Sequence, residues 1–230
     1  MQISHFAYFF FHLVVLTSLI LGKMLYPKMK VPTKTEVFSF LPISLVFIVW
    51  DYLVTDVWWS FNPTFVLGFT HVPFLRLPIE ELLFFVTVPY ALVTFLKNLH
   101  DHIPDKQIVI PRKVSVALSL LYRTSLVVGL YFSFVQEKWY TVIVVLGLAL
   151  TGTRLLNQTA VTIGLLFTLF TTLLFNYYLT SLPIVLYTDI YKTGALVGTI
   201  PIEDFGYAAL LYLWIVKALY ARKCSDFFET

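Results

Sequence analysis

The chain has 230 residues, of which 59% are hydrophobic and 13% are charged, and its mean hydropathy is +0.82. A soluble domain does not carry so apolar a surface, so we expect the protein to be embedded largely in lipid. The net charge of +3 does not indicate nucleic-acid binding, because the lysines lie in short loops between apolar segments. The one cysteine, Cys224, excludes a disulfide framework or a thiolate metal site within one chain.

About seven apolar segments are candidates to cross the hydrocarbon core, which requires about 20 residues each. They run from Ile3 to Leu21, Val37 to Val54, Pro78 to Leu96, Val114 to Phe134, Trp139 to Leu150, Thr159 to Leu179 and Pro201 to Tyr220. The fifth segment is the shortest. The first lacks a preceding basic region and is followed by lysines, the reverse of a cleavable signal peptide, so we expect it to remain as a membrane anchor.

Basic residues cluster after the first, third, fifth and seventh spans. They are Lys23, Lys28, Lys30 and Lys34, then Lys97, Lys106, Arg112 and Lys113, then Arg154, and finally Lys217, Arg222 and Lys223. The positive-inside rule places these segments in the cytoplasm. The sequence therefore predicts a multi-pass protein of the cell membrane with its N-terminus outside and its C-terminus in the cytoplasm.

A four-residue acidic motif occurs twice, as Pro78-Ile79-Glu80-Glu81 and as Pro201-Ile202-Glu203-Asp204. Each copy opens a span that enters the membrane from the outer side, so the two copies can meet. We predict an all-α membrane bundle of two parallel three-helix repeats, related by an axis along the membrane normal. Residues 1–110 form the first repeat, 111–136 a linking helix, and 137–230 the second repeat.

The acidic residues of each motif fall in a first helical turn, because proline favours the first position of a helix. They could merely complement the helix dipole, or they could form a functional site, as ionisable groups within a span often do. Consecutive helical residues point about 100° apart, so one acid of each pair should face inward. We favour Glu80 and Glu203, which have Phe84 and Tyr207 four positions on.

Two carboxyls that meet in a low-dielectric site cannot both ionise cheaply, so one should stay protonated and the site should contain an acid and a base. Arg76 could pair with one of these acids or lie in the aqueous loop.

A second polar segment, from Trp50 to Pro63, alternates rings with groups that form hydrogen bonds. Its tryptophans could equally belong to an interfacial belt.

Three stretches resemble the membrane-embedded lycopene cyclases of archaea and some bacteria, in their fused form. These are Trp59-Ser60-Phe61-Asn62-Pro63, the run from Leu77 to Phe85, and the run from Gly198 to Phe205. The segment Phe175-Asn176-Tyr177-Tyr178-Leu179-Thr180 is similar to one in the second half of that family. Gly206 before Tyr207, and Tyr177 after Asn176, depart from the family pattern and are expected to affect the shape of the pocket.

The resemblance implies conversion of lycopene, a linear polyene, into a carotene with closed six-membered end rings, expected to be beta-carotene, with gamma-carotene as an intermediate. An acid protonates the terminal double bond, the neighbouring alkene attacks the cation, and loss of a proton leaves the ring alkene. The catalytic candidates are Glu80, Glu81, Glu203 and Asp204. The candidates for substrate binding are Asp51, Trp59, Asn62, Phe84, Asn176, Phe205 and Tyr207.

No nucleotide cofactor is expected, since no G-x-G-x-x-G motif follows a strand, and no metal is expected either. The expected partners are lycopene and other polyenes in the lipid phase, with self-association left open.

A proton-coupled transporter is the main alternative, although the chain has only 9 glycines with which to break helices. An iron oxygenase would need clustered histidines, and a prenyltransferase would need aspartate-rich runs, for which Asp101 and Asp105 are a weak match.

Overall fold

The computed structural model describes residues 3–68, 76–103, 112–151, 156 and 158–221, with only the backbone described for part of 112–125. Within these ranges there are seven α-helices. They are α1 (Ala7–Leu25), α2 (Lys34–Val54), α3 (Ile79–His102), α4 (Arg112–Val135), α5 (Trp139–Thr151), α6 (Thr159–Ser181) and α7 (Ile202–Ala221). Several residues considered in the sequence predictions lie outside the described ranges. They are His71, Asp105, Lys106, Arg154, Arg222, Lys223 and Cys224.

The helices coincide with the seven predicted apolar segments, which confirms a mostly helical fold. Among the described residues, four helices are long and apolar enough to cross a membrane, namely Ser4–Leu25, Lys34–Val54, Ile79–His102 and Thr159–Ser181. Helix α5 has only 13 residues, in agreement with the short fifth segment. Helix α7 has 20 residues and carries both acids of the second motif in its first turn.

Short strands accompany the helices, so the all-helical prediction was incomplete. Strand β1 (Trp59–Phe61), which follows α2, pairs antiparallel with β2 (Val185–Tyr187), which follows α6. Strands β3 (Leu196–Val197) and β4 (Ile200–Pro201) form a second pair before α7. Strands of two or three residues carry no readable alternation of apolar and polar positions, and they form here because backbone N–H and C=O groups between helices need partners.

The two helices that carry the acidic motifs occupy the interior of the bundle. Helix α3 packs against α1, α2 and α6, and α7 packs against α2, α5 and α6. Because β1 pairs with β2, the segment after α2 and the segment after α6 lie at the same end of the bundle, where α3 and α7 begin. This arrangement brings the first turns of α3 and α7 towards each other.

The opposite end of the first half is held by a capped helix and a buried ion pair. Thr33 and Glu36 form a capping box at the start of α2, in which each side chain accepts a hydrogen bond from the other's backbone N–H. The Nζ atom of Lys97, near the end of α3, lies 2.7 Å from the same Glu36 carboxylate. Both side chains are buried, so the pair connects α2 to α3 where water cannot screen the charges.

Candidate functional site

A cavity lies at the end of the bundle where α3 and α7 begin, beneath strands β1 and β2. Its volume is about 840 Å³ when the space at its open side is included, and most of its wall is aromatic or aliphatic. Three carboxyl groups open onto it: Asp51 from α2, Glu81 from α3 and Asp204 from α7. A pocket with a mostly apolar wall and a few convergent polar groups suits an apolar ligand on which those polar groups act at one point.

Asp51 and Glu81 form a hydrogen-bonded pair of carboxyls. A carboxylate has no proton to donate, so this bond exists only when one of the two groups is protonated. The Tyr8 hydroxyl donates to Oε2 of Glu81, and the Tyr207 hydroxyl donates to Oδ1 of Asp51 at 2.9 Å. The pair can therefore hold one proton inside the cavity, in a position set by helices α1, α2, α3 and α7.

Asp204 is surrounded by hydrogen-bond donors. Its Oδ1 accepts from the Tyr140 hydroxyl at 2.9 Å, and its Oδ2 accepts from the Tyr187 hydroxyl at 2.7 Å and from Nδ2 of Asn176 at 3.0 Å. Burial, and then the charge of Asp204, raises the pKa of the Tyr187 phenol, which therefore keeps its proton and remains a donor. Three donors to one carboxyl stabilise its ionised form.

Glu80 and Glu203, the expected inward pair, are both buried in the bundle, but Glu81 and Asp204 line the cavity in their place. Phe84 and Tyr207 do line it, but they lie three residues after Glu81 and Asp204 as well as four after the predicted acids. Offsets of three and four both place side chains on one helix face, so the ring positions could not discriminate between the two acids.

Glu80 and Glu203 instead hold the loops that cover this end of the bundle. The backbone N–H of Leu67 donates to Oε1 of Glu80 at 2.6 Å. Oε1 of Glu203 accepts from the backbone N–H of Thr193 at 2.7 Å, from the Thr193 hydroxyl at 2.8 Å and from the Thr141 hydroxyl at 2.6 Å. Both glutamates are buried, and each fixes the segment that precedes its own helix.

His12 of α1 fixes the first turn of α3. Its Nε2 lies 2.9 Å from the backbone carbonyl of Glu80, and its Nδ1 lies 3.0 Å from the Thr87 hydroxyl. Because a carbonyl only accepts, Nε2 must carry the proton. The ring is buried and orients the helical turn from which Glu81 projects.

The other predicted site residues divide into two groups. Trp59, Phe84, Asn176 and Tyr207 line the cavity beside the carboxyls, as does Asp51. Asn62 does not line it, because its Oδ1 accepts from the backbone N–H of Thr64 at 3.0 Å. Phe205 is half-buried away from the cavity.

Two departures from the family pattern do not reach the cavity wall. Tyr177 is 52% exposed on the outer side of α6. Gly206 faces α5, where a Cβ atom would come within 2.4 Å of Cγ1 of Val144, so this glycine permits close packing of two helices. Arg76 is exposed and lies 3.8 Å from the Asp56 carboxylate, so it belongs to the loop and not to the acidic cluster.

Sequence reasoning missed the tyrosines that donate to the carboxyls, which are Tyr8, Tyr140 and Tyr187. Tyr8 and Tyr140 share a signal that could have identified them, because each is the second residue of its helix, α1 or α5, at the end of the bundle where the acidic motifs begin. Tyr187 carried no such signal, since its position depends on the pairing of β1 with β2.

The arrangement can perform proton transfer to and from an apolar ligand. It combines a carboxyl pair that can hold a proton, a carboxyl whose three donors favour its ionised form, and aromatic faces that can stabilise a cation by about 0.5–2 kcal/mol each. In the part of the chain that the structure describes, no group of three or more His, Cys, Asp or Glu side chains could hold a metal ion.

A family model described as "Lycopene cyclase" matches residues 4–99 and 114–220. These two ranges include every residue that lines the cavity. No curated protein and no solved structure matches the chain. The family match covers most of the chain and agrees with the resemblance of the acidic motifs, so this protein belongs to the lycopene cyclase family.

Proposed function

We propose that the protein closes beta-type rings at the ends of lycopene by acid–base catalysis, with beta-carotene as the final product. The observation that carries this proposal is the Asp51–Glu81 carboxyl pair, which faces the cavity together with Asp204. The pair is the acid, because its hydrogen bond requires a proton. Asp204 is the base, because its three donors favour the ionised form.

The reaction needs one proton to enter and one to leave. The carboxyl pair donates a proton to the terminal double bond, which leaves a tertiary cation. The electrons of the neighbouring alkene then form the carbon–carbon bond that closes the ring, and the positive charge moves onto a ring carbon. Asp204 takes a proton from the adjacent carbon, and that pair of electrons becomes the ring double bond. Substrate and product are isomers, so the step requires no oxidant.

Aromatic side chains surround the path of the positive charge. Trp59, Phe84 and Tyr207 line the cavity beside the carboxyls, and Tyr207 lies edge-on to Trp59 with ring centroids 6.4 Å apart. Their electron-rich faces can stabilise the cation without reacting with it. The apolar wall also keeps out water, which would otherwise capture the cation as an alcohol.

The two halves of the cavity correspond, which supports the proposal of two parallel repeats, residues 1–110 and 137–230, linked by residues 111–136. In the first half, Glu81 of α3 bonds to Tyr8 of α1 and to Asp51 of α2. In the second half, Asp204 of α7 bonds to Tyr140 of α5 and to Asn176 of α6. Asp51 and Asn176 are each the eighteenth residue of their helix.

This correspondence explains why the two sites would have different chemical roles. Asp51 beside Glu81 requires the two carboxyls to share a proton, so the pair can act as the acid. Asn176 beside Asp204 donates a hydrogen bond and adds no charge, so Asp204 can stay ionised and act as the base. One exchange, aspartate for asparagine, therefore distinguishes two otherwise similar clusters.

We further propose that the protein is a multi-pass membrane protein with its N-terminus outside and its C-terminus in the cytoplasm, as the distribution of lysine and arginine predicts. Cys224 provides the test, because it is the only cysteine in the chain. A membrane-impermeant maleimide should label it only after the cells are permeabilised. Labelling in intact cells would reverse the orientation.

The proposed activity is tested by expression in bacteria that accumulate lycopene, followed by chromatographic separation of the pigments. The wild-type chain should convert lycopene into beta-carotene, with a monocyclic intermediate at early times. A control that combines Asp51→Asn with Glu81→Gln should accumulate lycopene at an equal protein level in the membrane. A proton-coupled transporter, the alternative that the family match disfavours, would leave lycopene unchanged in both strains.

A further inference from the structure

A second cavity lies along α1, α3 and α6, three of the helices that border the first, towards the far end of α3. Its wall includes Leu19 of α1, Ala91, Phe95 and Asn98 of α3, and Phe167 of α6. Its volume is about 890 Å³ when the space at its open side is included. Nothing in the acid–base chemistry uses it, because its residues lie at least ten positions along α3 from Glu81.

The two cavities lie along one face of α3. Glu81, Phe84, Val88 and Leu92 line the first cavity, and Ala91, Phe95 and Asn98 line the second. Steps of three and four residues keep these side chains on one side of the helix. Leu19 and Ala91, which border the second cavity, also pack against the hydrophobic cluster that contains Tyr8 and Trp59 of the first.

The flanking helices follow the same order. Helix α6 contributes Asn176, Thr172 and Thr168 to the first cavity and then Phe167 to the second, where its ring stacks on Phe95 with centroids 3.8 Å apart. Helix α1 contributes Tyr8 and Phe11 to the first cavity, and Ser18 and Leu19 to the second. Both cavities are therefore lined by α1, α3 and α6.

We propose that the two cavities form one continuous groove, which binds the unreacted length of the polyene with its far end in the second cavity. The inference rests on the proposed cyclase function. A conjugated polyene is stiff and cannot fold back, so a substrate whose end reaches Glu81 must extend along one direction. From Glu81 to Asn98, α3 rises about 26 Å, close to the thickness of the hydrocarbon core, about 30 Å. The groove offers an apolar wall over that distance.

Ala91 is the position at which the groove can be blocked. Ala91 is the α3 residue of the second cavity that lies nearest to Glu81 in the sequence. Ala91→Phe adds a ring at that point, and Ala91→Leu is a milder form of the same change. Val86→Phe is the matched control, because Val86 lies on the same helix, is 46% exposed and lines neither cavity. Elution of each purified variant in gel filtration, and its thermal unfolding, identify a chain that has not folded.

Two substrates distinguish an effect on the groove from an effect on the reaction site. One is lycopene, and the other is a shortened polyene that keeps one lycopene end but only about half of the chain. Ala91→Phe should raise the KM for lycopene about tenfold or more and leave turnover of the shortened polyene within about twofold of wild type. Ala91→Leu should give a smaller effect, and Val86→Phe none. Equal loss on both substrates, or no loss on lycopene, would overturn the proposal.

A binding measurement keeps this test independent of catalysis. In a Glu81→Gln background, binding of each polyene is followed by quenching of the protein's tryptophan fluorescence, to which Trp59 of the first cavity contributes. The protein that keeps Ala91 should bind lycopene more tightly than the shortened polyene. Ala91→Phe should remove that difference in affinity. If the cyclase proposal fails, no ring forms with any substrate. If only the groove proposal fails, rings form but affinity does not depend on polyene length.

Discussion

At the scale of single residues, the protonation of the cavity is decided by which groups each carboxyl can bond to. Asp51 and Glu81 can bond to one another only around a shared proton, whereas Asp204 meets three donors and needs none. The two acidic motifs are nearly identical in sequence. Their proposed roles differ because their neighbours on other helices differ.

Adjacent glutamates provide the sharpest test of this assignment. Glu81→Gln should lower the rate of cyclisation at least about 100-fold, because an amide keeps the shape but cannot supply an acidic proton. Glu80→Gln should stay within a few fold of wild type, because the amide oxygen can still accept from the backbone N–H of Leu67. Initial rates on lycopene in isolated membranes measure both variants.

The second motif provides the corresponding pair of variants for the base. Asp204→Asn should show a loss as large as that of Glu81→Gln, while Glu203→Gln should retain most activity, since Glu203 bonds to Thr141 and Thr193 away from the cavity. Comparable losses at Glu80 and Glu203 would instead assign the chemistry to the residues first favoured from the sequence.

At the scale of elements, close approach of α6 and α7 holds Asn176 and Asp204 at bonding distance. Gly164 of α6 makes room for Tyr212 of α7, whose hydroxyl donates to the backbone carbonyl of Val161 at 3.0 Å. A Cβ atom at Gly164 would lie only 2.1 Å from that hydroxyl oxygen. The helices would then have to separate, or Tyr212 would have to give up its hydrogen bond.

Gly164→Ala should therefore destabilise the protein by about 1–3 kcal/mol, through overpacking and the lost hydrogen bond. Gly129→Ala is the control, because a Cβ at Gly129 of α4 has no neighbour within 4 Å. It should be neutral or slightly stabilising, since alanine favours a helix over glycine. Thermal unfolding of the detergent-solubilised variants measures the difference, and an equal effect of the two substitutions would contradict the packing argument.

At the scale of the whole molecule, the cavity belongs to neither half alone. The first half supplies Asp51 and Glu81, the second supplies Asn176 and Asp204, and the hydrogen bond from Tyr207 to Asp51 crosses between them. Contacts of α3 with α6 and of α2 with α7 hold the halves together. Catalysis should therefore require both halves but not the peptide bond that joins them.

Expression of residues 1–110 and 111–230 as separate chains tests this expectation. Either chain alone should leave lycopene unconverted, because each lacks the acid or the base. Co-expression should restore ring formation, and the two chains should copurify through a tag on one of them. Conversion of lycopene by a single half would show that the shared cavity is not the site of reaction.

The amino-acid sequence was sufficient to predict the membrane-compatible helices, their order and the doubled acidic motif, because lipid demands long apolar segments and a repeated motif is visible without coordinates. It also indicated Trp59 and Asn176 through resemblance to the cyclase family, and Asp51 through the polar segment that contains it. The packing of the helices was needed to find that Glu81 and Asp204 face the cavity, that Asp51 pairs with Glu81, and that tyrosines from α1, α5 and β2 donate to the carboxyls. The reason is geometric: one residue along a helix turns a side chain by about 100°, and that rotation is set by contacts between helices distant in sequence.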